Sequence, residues 1–115
     1  MDDYPDFKDT LDGDIWIEGR LCSFRVKDEE NFKKLFKKYF DKDFELYTKK
    51  EIIEMNLFGI GKEEHELFRK SLGDYFALAK TNKYFRYCED SVNLKSMHAG
   101  FTEDEMLIPL IVYYK

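Results

Sequence analysis

Between Asp28 and Phe40 the apolar side chains Phe32, Leu35, Phe36, Tyr39 and Phe40 recur three and four residues apart, which puts them on one helix face that is aromatic almost throughout. A face of that kind needs a broad apolar surface to pack against, so this helix must lie on a sheet or on other helices. Asp28, Glu29 and Glu30 suit the positive N-terminal end of its dipole. Lys33, Lys34, Lys37 and Lys38 fall on the opposite face, which reads as solvated surface rather than as a phosphate-binding patch.

Strand signals supply the surface. From Ile15 to Val26 the chain turns apolar, and Cys22, Phe24 and Val26 alternate with Ser23 and Arg25, as in a half-buried strand. Gly19 interrupts that pattern, which predicts a bulge or two successive short strands. Phe44 to Tyr47 reads as a short strand after the helix, and Thr48 with Glu51 forms a capping box that starts a second helix through Ile52, Ile53 and Met55. Phe58 to Gly61 reads as a turn, and Glu63 to Leu72 as a helical or irregular stretch with Leu67, Phe68 and Leu72 inward, stopped by Gly73. Tyr75 to Lys80 and Tyr84 to Cys88 suggest a hairpin about Thr81 and Asn82. A polar loop from Glu89 to Ser96 precedes a second capping box, Thr102 with Glu105.

The segment from Leu107 to Tyr114 has no polar face, so it is expected to be covered on both sides, with Pro109 at an edge or at a helix–strand junction. Strands and helices without regular βαβ alternation predict an α+β fold, a small, mostly antiparallel sheet with two or three helices against one face. Residues 1–14 carry six aspartates with Pro5 and Gly13 and read as an acidic leading segment prone to fraying, which leaves 15–115 as a single domain.

With 115 residues, of which 43% are hydrophobic, the chain can bury roughly 65% of its unfolded surface, which excludes wholesale disorder. It is too short for a complete doubly wound or barrel enzyme, which needs about 200 residues. A net charge of -5 gives no general basic field for nucleic acid. No apolar stretch nears the roughly 20 residues of a membrane span, and the N-terminus is acidic where a secretory signal is basic, so a cytoplasmic protein with no membrane association is expected. Cys22 and Cys88 lack the spacing of a zinc knuckle or redox pair and read as reduced, packed thiols.

Few residues invite chemistry. There is no nucleophile elbow, phosphate-binding glycine loop, C-x-x-C or H-E-x-x-H. His65, among Glu63, Glu64 and Glu66, reads as an exposed or helix-capping imidazole, and Glu89 with Asp90 as a solvated loop. His98 differs, because Ala99 and Gly100 beside it would let a backbone or ligand come close.

The stretch His98-Ala99-Gly100-Phe101-Thr102-Glu103-Asp104-Glu105-Met106-Leu107-Ile108-Pro109-Leu110-Ile111-Val112 resembles the terminal motif of the alkaline phosphatase superfamily, in particular its bacterial branch of type I phosphodiesterases and nucleotide pyrophosphatases. Glu18-Gly19-Arg20, the run from Leu46 to Glu51, Leu57-Phe58-Gly59 and the stretch from His65 to Asp74 are similar to that branch in the same order, so the likeness spans about residues 15–115. The resemblance implies that the histidine of this motif is one ligand of a two-metal centre, generally zinc, which activates a Ser or Thr nucleophile and stabilises charge on a phosphoryl group. It makes His98 the candidate metal ligand. Ala99 stands where the family commonly has glycine. The other ligands and the nucleophile have no recognisable counterpart here, so no catalytic or cofactor-binding residue is assigned.

The function that follows is a C-terminal region of a metal-dependent phosphatase or phosphodiesterase, inactive alone, whose partner is the remainder of the parent catalytic domain and whose substrate is a phosphate ester. It would supply His98, cover part of the substrate cleft with the aromatic helix, and close the main sheet with the terminal apolar segment. The alternative is an autonomous non-catalytic binding or regulatory domain. A buried Leu107–Tyr114 run would favour autonomy, and an exposed one a missing parent domain or a homo-oligomer. Single-stranded nucleic acid stacking on Tyr84, Phe85 and Tyr87, beside the lysine face, is disfavoured by the acidic total.

Overall fold

The computed structural model describes residues 2–59, 64–86 and 96–114. Its elements are helix α1 (Pro5–Lys8), strands β1 (Trp16–Glu18) and β2 (Leu21–Phe24), helix α2 (Glu29–Tyr39), strand β3 (Phe44–Thr48), helices α3 (Lys49–Glu54) and α4 (Phe68–Ser71), strand β4 (Tyr75–Ala79) and helix α5 (Glu103–Met106). The strands form one antiparallel sheet in the order β1-β2-β4-β3, so the fold is α+β. Gly19 marks a break between two short strands: β1 and β2 pair as a hairpin, with Trp16 opposite Ser23 and Glu18 opposite Leu21.

β4 is the centre of the sheet. It lies between β2, where Phe24 pairs with Tyr75, and β3, where Thr48 pairs with Tyr75 and Phe44 with Ala79. All five of its residues are buried, as expected of a strand covered on both faces. Cys22, Phe24, Phe44, Tyr75, Ala77 and Ala79 face the aromatic side of α2, where Phe32, Phe36 and Phe40 pack, and the two small alanines leave room for those rings. Leu21, Phe76 and Leu78 face the other way, onto Ile52 of α3 and Leu72. Helices therefore cover both faces, not one as the sequence suggested, because β2 and β4 are buried at every position and each face needs its own cover.

The acidic leader also packs. Phe7 of α1 is fully buried, with its ring 4.9 Å from that of Phe40 and 5.2 Å from that of Phe32, while every aspartate of residues 2–14 stays exposed. Leu11 is buried and bridges to Val26, and the Tyr39 hydroxyl donates to Asp6 at 2.7 Å. Fraying was expected from the charge, yet Phe7 and Leu11 reach the core, with Tyr4 packed against it, without drawing the carboxylates in.

Three further expectations are corrected. Residues 83–86 form no strand, because both edges of β4 are already taken; instead the Phe85 N–H donates to the Gly19 carbonyl at 2.7 Å. The stretch read as helical or irregular is both, a turn followed by α4, but Leu67 stays exposed rather than inward. Leu107, Ile108, Leu110, Ile111, Val112, Tyr113 and Tyr114, expected to be covered, are 57% to 90% exposed and pair with no strand among the described residues. No helix among those residues is long and apolar enough to cross a membrane.

Candidate functional site

The terminal motif is organised around one carboxylate. Thr102 opens α5, and its N–H and hydroxyl donate to Oε2 of Glu105 at 3.3 and 2.5 Å. The Gly100 N–H donates to Oε1 at 3.1 Å. From the β1–β2 turn Arg20 meets the same carboxylate with both arms of its fork, Nε to Oε1 at 2.5 Å and Nη2 to Oε2 at 2.7 Å. Its Nη1 donates to the carbonyls of Thr81 and Lys83 at 2.8 and 3.0 Å. Arg20 is 6% exposed, so its charge is paired and hydrogen-bonded as burial demands. The guanidinium, followed by the Thr102 hydroxyl, draws the Glu105 carboxyl down to about 2.

The small residues beside His98 serve this clasp. A Cβ on Gly100 would collide with the Glu105 carboxylate oxygens and push them off the backbone N–H, so glycine suits this close approach. Ala99 takes φ +66°, a left-handed conformation in which glycine is unstrained and a residue with a Cβ is not. Close approach was expected at this point, and what approaches is the chain's own Glu105. His98 itself is exposed, one residue before that turn. Phe101, just after it, packs on the second core cluster beside Leu21 and Phe76.

A divalent metal of the kind the resemblance implies needs three or four protein donors. Among the described residues no group of three or more His, Cys, Asp or Glu side chains converges to hold one, so His98 by itself does not fit a complete centre. His65 is exposed and its Nδ1 accepts from the Leu67 N–H at 3.2 Å, a local turn contact. Phe32 and Phe36 of α2 lie in the core, and only the C-terminal end of its aromatic face, Tyr39 and Phe40, lines an open cleft, with Tyr4 and Tyr84. Phe85 is likewise enclosed, its ring 4.3 Å from Phe44 and 4.9 Å from Phe40, which removes it from any base-stacking role. Of the lysine face, Lys33 pairs with Glu29 at 2.6 Å. Tyr87, Cys88, Glu89 and Asp90 lie outside the described residues. Beside the His98 turn an open cleft of about 510 Å³ is lined by Arg20, Thr81, Asn82, Tyr84, Met97 and Glu105, among others.

Arg20 and Glu105 were the residues that sequence reasoning undervalued. Glu105 was visible as half of a capping box and Arg20 as the end of a Glu-Gly-Arg triplet, but nothing in either stretch announces that they meet across 85 positions. No protein-family model, no curated protein and no solved structure matches this chain, so the resemblance of the terminal motif rests on its own residues.

Proposed function

We propose that this chain is the C-terminal region of a metal-dependent phosphatase or phosphodiesterase. It supplies His98 as one ligand of zinc or another divalent ion otherwise held by the parent catalytic domain, contributes the cleft beside Arg20 and Tyr84 to the binding of a phosphate ester, and has no activity alone. The observation that carries the reading is the terminal run: directly after the clasped motif, seven large apolar side chains stand in solvent. A domain complete in itself would not be expected to leave them there, which weighs against the autonomous alternative.

The pattern of the run points to its cover. Read as a strand, Leu107, Ile111 and Tyr113 take one face and Ile108, Leu110, Val112 and Tyr114 the other, so both faces are apolar. Pairing two copies as a ribbon would leave both faces wet. A slot in a larger sheet with helices on both sides buries them, and that is the kind of partner a parent α/β catalytic domain would be.

The test is zinc-dependent hydrolysis of bis(4-nitrophenyl) phosphate by the 115-residue chain, together with zinc titration by calorimetry. No turnover above buffer and only weak binding, lost in His98→Ala, is expected, since a lone imidazole holds a divalent ion poorly. Turnover abolished by His98→Ala, or two zinc ions bound tightly per chain, would overturn the reading.

A further inference from the structure

The segment that carries His98 is attached to the sheet by little else than its side chains. Among the described residues the backbone bonds of 96–107 are local to α5, from Glu105, Met106 and Leu107 back to Thr102 and Glu103, and none reaches a strand. The Glu105 carboxylate accepts from Arg20 through two nitrogens, from Thr102 through its N–H and hydroxyl, and from the Gly100 N–H. Arg20 is itself fixed, because it is buried and its remaining nitrogen is spent on the Thr81 and Lys83 carbonyls. A continuous chain of bonds thus runs from the β1–β2 turn through Arg20 and Glu105 to the backbone at Gly100, two residues from His98. Between them Ala99 is set at φ +66°, in the left-handed region.

We infer that Arg20 is the positioning residue for His98: acting through Glu105, it fixes where the imidazole is presented to whatever the rest of a metal centre provides. This rests on His98 being a ligand, but the placement itself is separately measurable. Planarity matters, because only a fork can hold both carboxylate oxygens while a third nitrogen binds two carbonyls. A lysine at this position would keep the charge and lose the geometry.

The experiment is NMR relaxation on the full 115-residue chain, reading the backbone amides of 98–105 and the His98 ring, with the His65 ring and the β4 amides as internal controls. In the wild type the amides of Gly100 and Thr102 are expected at order parameters near 0.85, as for rigid backbone. In Arg20→Gln they should fall below about 0.6 while β4 is unchanged, and Arg20→Lys should lie between. Gly100→Ala provides a second route, because its Cβ displaces the carboxylate with Arg20 intact, and the same loosening should follow. Order at 98–105 preserved in both Arg20→Gln and Gly100→Ala would overturn the inference, as would loss of order in β4 together with the segment. Neither result depends on metal or turnover, so the positioning role and the hydrolase reading can fail separately.

Discussion

Cys22 is 1% exposed on β2, and burial, helped by the nearby Glu18 charge, pushes its thiol far above the ordinary range. The thiolate is the reactive form, so iodoacetamide at pH 8 should leave Cys22 unmodified in the native chain and alkylate it fully in denaturant, as read by peptide mass mapping; modification in the native state would contradict the burial. Glu105 moves in the opposite direction for the opposite reason. Its carboxyl titrates near 4.5 when free and at about 2 beside Arg20 and Thr102, so the unfolded chain takes up the proton first. The stabilisation this carboxylate provides is therefore complete above about 4.5 and lost as the pH falls towards about 2. Glu105→Gln removes that dependence. The melting temperatures of wild type and Glu105→Gln should differ most near pH 6 and draw together as the pH falls from about 4.5 towards about 2, whereas a constant gap would mean that the charge itself is not used. The sequence disclosed the carboxylate's local partner, Thr102, through spacing alone, but not Arg20, because a contact across the whole chain leaves no trace in local pattern.

Helices α1 and α2 mark the two limits of what pattern discloses. α2 was legible because its apolar face repeats over three turns and its cap is local: the Asp28 side chain accepts from the Asn31 N–H at 3.2 Å. α1 has one turn, one buried side chain and a surround of aspartates, so its charge spoke louder than Phe7. Energetically the two helices stand level, since Phe7 and Phe36 occupy the same aromatic cluster, 6.2 Å apart by ring centre. Phe7→Ala and Phe36→Ala should each cost about 3–5 kcal/mol in urea denaturation, Asp28→Ala about 1 kcal/mol, and Lys37→Ala on the solvated face less than about 0.5 kcal/mol. A Phe7→Ala cost as small as that of Lys37→Ala would show that the leader is only laid against the core. The hairpin expected after β4 failed for a topological reason that a local reading cannot contain: β4 had already given both edges to strands more than 25 residues away.

The whole molecule is longer than its core. A compact 115-residue domain has a radius of gyration of about 13 Å, whereas this chain has 16.1 Å and extends 60 Å along its longest axis. The excess is consistent with the exposed terminal run, which belongs to neither core cluster. Its apolar character was plain in the sequence; that it finds no cover within these residues was not, because hydrophobicity states a need for burial without naming what provides it. The sheet is covered on both faces by α1, α2, α3 and Leu72, β4 has no free edge, and the run pairs with neither β1 nor β3, the strands at the two sheet edges. Removal of residues 107–115 should therefore change the unfolding free energy by less than about 0.5 kcal/mol, and in small-angle scattering it should bring the radius of gyration towards about 13 Å. The intact chain should bind a hydrophobic dye such as ANS and associate as its concentration rises, and the shortened one should do neither. If the shortened chain instead unfolds, the run is a working part of this core, and the case for a partner that receives it disappears.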